Sequence, residues 1–385
     1  MTSHVDDLLY CGDGTEHRAS LDKIIAEIKL KIKTESFVYC GKLIAQDEDY
    51  TIKISQADAA NALEFIHLDR ERRRHLDLKL TPEEKSDLRR VVGSLQWLAR
   101  QSRSDLAAHA SLVAQTIGDP RIADAVEANR AVKAAHERSG TGLVFRSDVN
   151  IDYHNGVIFC CSDASFANVP EPGSTEKIKS QSGHIIGIGT NPLNKFHPLE
   201  AVSAQIRRVC RSTLAAEANA LLEATESADY IRFVIAATFH RDLPLNEMDG
   251  NELLLPVMWY TDAKSLYDVV TRDTSMAADK RLRLILAQLR ELIAQPGVRM
   301  EWVDTQLMLA DALTKLECER DYLVQAIADN AWDTTPTPVT LAAKQAIRAA
   351  RQARNAAKQR AKTASQNTTQ DGQPLTTAST QHNEA

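Results

Sequence analysis

Apolar positions along the chain change period several times, and each change marks an element. The opening predicts a short hairpin around Val5-Asp6-Asp7-Leu8. A helix follows over 20–33, with Leu21, Ile24, Ile25 and Ile28 on one side. A second hairpin has strands over 37–44 and 50–54, turning at Asp47-Glu48-Asp49, and a helix covers 55–67. Beyond the charged run 69–74, Thr81-Pro82-Glu83-Glu84 combines a capping threonine, a first-turn proline and a capping-box glutamate. Helices are predicted from there over 82–100 and much of 105–137.

From Gly156 the pattern shifts to strand-like runs at 157–163, 182–189 and 199–206, followed by a long helix over 213–239. A strand at 253–261, a short helix from Ala263, a helix over 277–294, a strand at 298–303 and a helix over 307–316 complete the unit. The order β-β-β-α-β-α-α-β-α demands a mixed sheet, antiparallel first and joined by right-handed crossovers afterwards. Val157-Ile158-Phe159-Cys160-Cys161 is apolar without alternation, as in a central strand covered on both faces, and its two cysteines point to opposite faces.

Composition narrows the class. The chain has 385 residues, 43% of them apolar and 25% charged, with 15 Gly and 12 Pro: a globular profile with room for two or three domains. No apolar run is long enough to span a membrane, and the first 30 residues lack the basic-then-apolar pattern of an export signal, so a soluble intracellular protein is expected. Six cysteines without C-x-x-C spacing read as reduced thiols rather than a zinc site or disulfide framework. The net charge is −6, and 336–362 contributes seven basic and no acidic residues, leaving the remainder near −13. That stretch is the one polyanion-attracting element. It reads as an Ala/Lys/Arg-rich helix, and the sequence from Thr363 onward as disordered.

Four carboxylates stand out against this background. Asp163 ends the apolar strand after Ser162, and Asp262 ends the run Trp259-Tyr260-Thr261. Parallel neighbouring strands would bring these two acids together at the carboxyl edge of the sheet. Glu217 shares the apolar helix face of Leu214, Leu221 and Ala224, and Asp311 lies between small and apolar residues in Leu309-Ala310-Asp311-Ala312-Leu313. Converging carboxylates repel, and each costs several kcal/mol to desolvate. A divalent cation compensates, and an all-oxygen ligand set favours Mg²⁺ or Mn²⁺. Two such ions are suited to phosphodiester cleavage. Taken singly, each acid also fits a plain role: Asp163 and Asp262 as strand-end caps, Asp311 as a helix-start residue, Glu217 as a paired core acid.

Asp163-Ala164-Ser165-Phe166-Ala167, Ser212-Thr213-Leu214-Ala215-Ala216-Glu217-Ala218, Trp259-Tyr260-Thr261-Asp262-Ala263 and Ala310-Asp311-Ala312-Leu313-Thr314-Lys315 resemble, in order, the blocks of the ribonuclease H domain in copia-type retrotransposon Pol polyproteins. His4-Val5-Asp6-Asp7 is similar to the reverse transcriptase palm hairpin. Val92-Gly93-Ser94-Leu95-Gln96-Trp97-Leu98 with Arg103-Ser104-Asp105 resembles the connection segment. His4 stands where the family has an aromatic residue and Ser104 where it has proline.

The resemblance implies a ribonuclease H-like α/β fold with a mixed five-stranded sheet flanked by helices (151–320). Ahead of it would come a truncated palm fragment (1–68) and a helical connection segment (69–150), and behind it the tail (321–385). It implies that Asp163, Glu217, Asp262 and Asp311 hold two Mg²⁺ or Mn²⁺ ions that serve hydrolysis of the RNA strand of an RNA:DNA hybrid, with Ser165, Arg211, Ser212 and Thr213 as candidate phosphate or sugar contacts. Ser212 and Thr213 are equally good helix caps. Asp6 and Asp7 would be remnants of a polymerase site whose other half is not in the chain, so reverse transcription from this chain is not expected. The competing expectation is a non-catalytic relic or repurposed interaction module. A DNA-directed nuclease or transposase on the same fold would not need Glu217.

Overall fold

The computed structural model describes residues 2–4, 7–12, 14–28, 31–151, 156–170, 177–240, 253–272, 279–335 and 349. Residues up to Thr334 form one compact unit. The expectations for 336–362 and for the sequence beyond lie outside the described residues, Ala349 excepted.

The opening hairpin is present: β1 (Thr2–His4) pairs antiparallel with β2 (Asp7–Leu9). Helix α1 (Gly14–Ile28) starts and ends earlier than expected. Past its end, Lys29, Lys31 and Lys33 alternate with Leu30 and Ile32, a period that no longer serves a helix face. The predicted two-strand hairpin is three strands, β3 (Ser36–Tyr39), β4 (Lys42–Gln46) and β5 (Ile52–Ser55). The missed turn is Cys40-Gly41, where both residues have positive φ (48° and 71°), the conformation of a tight two-residue hairpin loop.

Helix α2 (Ala57–Asn61) stops well before His67. The chain beyond it bonds to α5 (Ile122–Glu137) instead of to itself: the Asn129 side chain accepts from Ile66 N at 2.7 Å and donates to Ile66 O at 2.9 Å, and His136 Nε2 bonds Leu63 O at 2.9 Å. Helix α3 (Pro82–Gln101) starts with the expected capping box, Thr81 accepting from Glu84 N and Glu84 from Thr81 N. The long second helix of this region is broken in two. A 3₁₀ turn at Ser104–Leu106 leads into α4 (Ala107–Ala114), and 115–121, which contains Gly118-Asp119-Pro120, separates α4 from α5. Residues 142–145, read as part of the helical segment, form β6 (Gly142–Phe145), which pairs with β5 and completes a sheet of order β3-β4-β5-β6.

The larger sheet has five strands in the order β11-β10-β7-β8-β9. Strands β7 (Val157–Pro170), β8 (Lys177–Gly189) and β9 (Phe196–Gln205) are antiparallel neighbours; β10 (Val257–Thr261) and β11 (Val298–Trp302) run parallel to β7. This is the mixed α/β arrangement that the order of elements demands. Helix α6 (Thr213–Phe239) matches its predicted bounds, with Ser212 as N-cap accepting from Ala215 N. Helices α7 (Lys264–Thr271) and α8 (Lys280–Ile293) follow β10.

The two faces of the central strand bury different partners, as its lack of alternation requires. Ile158, Cys160, Ile186 and Trp259 pack with α6, α7 and α8; Phe159, Cys161, Ile185, Phe196 and Tyr260 pack with residues of α3 to α5 and with Trp332. The segment 82–137 thus covers the second face of the sheet. Residues 307–316 are not an α-helix but two 3₁₀ turns, Thr305–Leu307 and Leu309–Leu313. The chain after residue 320 adds an unpredicted element, α9 (Asp321–Asp329), which buries Leu323, Ala326 and Ile327. Asn330, in the left-handed conformation at its end, donates to Val144 O at 2.7 Å and accepts from Arg146 N at 2.8 Å, tying α9 to β6.

Candidate active site

Register places the first two carboxylates. Tyr260 pairs with Cys161 across the parallel β10–β7 ladder, and two residues further on each strand come Asp262 and Asp163. Parallel neighbours lie about 4.8 Å apart, so the two acids emerge side by side where β10 ends. Glu217 is supplied by α6. Ala216, Ala218, Ala220 and Ala224 around it are fully buried, and these small side chains let the second turn of the helix approach the sheet closely. Carboxylate oxygens of Asp163, Glu217 and Asp262 all lie within 4.8 Å of one another.

Asp311 reaches the same region from the 3₁₀ turn Leu309–Leu313 and joins the triad through its neighbours in sequence. The Lys315 ammonium forms a short ion pair with Asp311 Oδ1 and lies 3.8 Å from Asp163 Oδ2. Thr314, fully buried, donates its hydroxyl hydrogen to Asp163 Oδ2 in a short hydrogen bond, and Asp311 Oδ2 accepts from Cys318 Sγ at 3.1 Å. Gly183 makes this approach possible. It is the cross-strand partner of Asp163, and a Cβ there would stand 2.7 Å from Leu313 Cβ and 2.8 Å from Thr314 Cγ2.

Burial dominates the electrostatics. Asp163 is 4% exposed, and its carboxyl is pushed up to about 6, chiefly by desolvation, with Lys315 opposing. Glu217 is pushed up to about 9 by desolvation and by the charges of Asp163 and Asp262. Asp262 is raised too, by desolvation first, against a hydrogen bond from Thr305. Glu217 Oε2 is a buried atom without a hydrogen-bond partner.

An orphaned carboxylate oxygen within reach of two more carboxylates fits a hard divalent cation, and the lack of His or Cys donors in the triad disfavours zinc. Among the described residues, Asp163, Glu217 and Asp262 are the group able to hold such an ion.

The remaining sequence candidates divide. Ser165 lies on β7 opposite Gln181, two residues beyond Asp163. Ser212 is spent as the α6 cap, and Thr213 is the exposed first residue of that helix. Arg211 is largely exposed, and its guanidinium pairs with Asp279 at 3.5 Å. Asp7 is exposed on the small opening hairpin; Asp6 lies outside the described residues. Reading the residues alone passed over Thr314, Lys315 and Cys318 as functional groups. The signal for Lys315 was its place four residues after Asp311, a spacing that more often marks a solvated surface pair.

No protein-family model matches the sequence, and no curated protein matches it. Among solved structures, the chain is similar to the N-terminal RNase H domain of a Mycobacterium tuberculosis protein fused to maltose binding protein (14% identity, 45% of this chain and 96% of that one, TM-score 0.27). It is also similar to RNase H1 of the archaeon Halobacterium salinarum (16% identity, 41% and 94%, TM-score 0.28). A foamy viral protease-reverse transcriptase in complex with RNA/DNA hybrid matches over 75% of this chain and 33% of its own (13% identity, TM-score 0.38). At such TM-scores the fold rests on strand order and register, not on these likenesses. Among the described residues no helix is long and apolar enough to cross a membrane.

Proposed function

We propose that the protein is a metal-dependent ribonuclease of the ribonuclease H type, hydrolysing the RNA strand of RNA:DNA hybrids, and that it derives from a copia-type retroelement. The observation that carries this reading is the triad Asp163, Glu217 and Asp262, converging from two parallel strands and a helix with one oxygen left unsatisfied. A divalent cation bound there supplies a Lewis acid for the scissile phosphate and a water of lowered pKa. The chain's own groups do the rest. Thr314 fixes the rotation of the Asp163 carboxylate, the alanines flanking Glu217 hold its helix against the sheet, and Asp311 brings a fourth acid to the same edge. Ser165, Thr213 and Arg211 are assigned to the substrate backbone, Arg211 on condition that it leaves Asp279.

One observation favours the relic reading: Lys315 and Thr314 satisfy part of the acidic cluster without any ion. The experiment that separates the two presents hybrid, duplex RNA and duplex DNA of one sequence to the full chain with Mg²⁺ or Mn²⁺. Cutting confined to the RNA strand of the hybrid supports the ribonuclease. Folded protein that cuts none of them supports the relic, and cutting of duplex DNA alone contradicts both.

A further inference from the structure

The two edges of the acidic cluster are satisfied in opposite ways. On the edge formed by Asp163, Glu217 and Asp262, Glu217 Oε2 has no partner. On the edge between Asp163 and Asp311, the chain's own groups contact both acids. Lys315 Nζ lies 3.8 Å from Asp163 Oδ2 and in a short ion pair with Asp311 Oδ1. Thr314 donates to Asp163 Oδ2, and Cys318 to Asp311 Oδ2 at 3.1 Å. A nuclease that uses two dications about 4 Å apart needs carboxylate ligands free on both edges. An ammonium is a compact point charge, suited to standing where a small cation would.

We propose that Lys315 is a tethered cation in the place of a second metal ion, so that the site takes a single dication at Asp163, Glu217 and Asp262. The inference rests on the ribonuclease reading of the same acids. Charge agrees with it: by formal charge four carboxylates and one ammonium carry three negative charges, so one dication leaves a single negative charge and a second would turn the cluster positive. Position agrees as well. Lys315 follows directly on Thr314, which is buried and anchored to Asp163, so the ammonium is held at the cluster by a fixed turn even though its side chain is partly exposed. Lys315 acts as a positioning residue, bridging Asp163 to Asp311.

Manganese counts the ions without relying on activity. Full-length protein is expected to take up one Mn²⁺ per chain, read as loss of the six-line electron paramagnetic resonance signal of free Mn²⁺ with no exchange-coupled signal, and Asp262→Asn is expected to leave the free signal in place. Lys315→Ala is expected to take up two ions and show an exchange-coupled pair as Asp311 becomes a ligand, while Lys315→Arg, which keeps the charge, still takes up one. The rate of hybrid cleavage is expected to rise as the first power of Mn²⁺ concentration below saturation in the parent protein and as the second power in Lys315→Ala. A coupled pair in the parent protein overturns the inference, and if that protein cuts hybrid the ribonuclease reading stands without it. No ion bound and no cleavage by folded protein overturns both. Should Lys315→Ala fail to fold, the parent spectrum alone decides.

Discussion

Glu217 is held at about 9 by burial and by two neighbouring carboxylates, so near neutral pH and without metal it keeps its proton. A carboxyl whose folded pKa exceeds its unfolded value binds a proton in the folded state that the unfolded chain has released; rising pH therefore favours unfolding. For Glu217 the window runs from its ordinary 4.5 to about 9, and for Asp163 from 3.8 to about 6. Metal-free protein is expected to lose stability steadily across the Glu217 window, and Glu217→Gln to flatten the loss above pH 6. Urea denaturation at a series of pH values measures this; an unchanged slope in the variant contradicts the assignment. Asp163, Glu217 and Asp262, which the fold brings together, were legible as residues, because an acid at the end of an apolar strand or on an apolar helix face breaks the local pattern; Asp311 stood out between small and apolar neighbours, although its 3₁₀ turn was read as a helix. Lys315 and Thr314 were not, since neither breaks one. Their role comes from a turn folding back onto β7, which local sequence does not encode.

Among elements, the helices with strong end signals were the legible ones. Ser212 and an uninterrupted run free of Gly and Pro defined α6 at both ends, and Thr81-Pro82-Glu83-Glu84 defined the start of α3. Elements whose partners are distant in sequence were lost: β6 is four residues long and exists because β5, some ninety residues earlier, pairs with it. Helix α9 was hidden beside a composition shift, and 307–316 took 3₁₀ geometry under tertiary constraint. Two predictions belong at this scale. Arg103, 1% exposed, bonds both Asp105 oxygens at 2.9 Å and also donates to the end of α5. Arg103→Met is expected to destabilise by about 3–5 kcal/mol, since it leaves Asp105 buried without its counter-charge. Chemical denaturation checks this, and a loss below about 1 kcal/mol contradicts it. Gly183→Val is expected to push Thr314 away from Asp163 and to lower hybrid cleavage at least about 10-fold, the lower end for losing an outer-shell contact. Retained folding, read by circular dichroism, separates that effect from simple loss of structure, and unchanged cleavage contradicts the role given to Thr314.

For the whole molecule, the sheet is the common wall between two halves of the core. The segment expected as a connection packs on the face of Phe159 and Cys161, and α6 to α8 on the face of Ile158 and Cys160. The carboxylates sit at the end of this wall, so their geometry depends on both halves staying folded. Metal binding should feed back on global stability: at a free concentration 100 times Kd, Mg²⁺ or Mn²⁺ is expected to add about 2.7 kcal/mol, and Asp262→Asn to abolish the gain. Melting with and without metal reads this directly, and an equal shift in the variant would place the ion elsewhere. The central claim is that these acids form a working ribonuclease site. Its most direct test is cleavage of a hybrid labelled on the RNA strand, with Mg²⁺ or Mn²⁺, by the parent protein and by Asp262→Asn. The account predicts cutting of the RNA strand that falls at least about 100-fold in the variant, because a direct ligand should cost no less than the outer-shell partners behind it. Folded parent protein that leaves the RNA intact, or a variant that cuts as well as the parent, would contradict it.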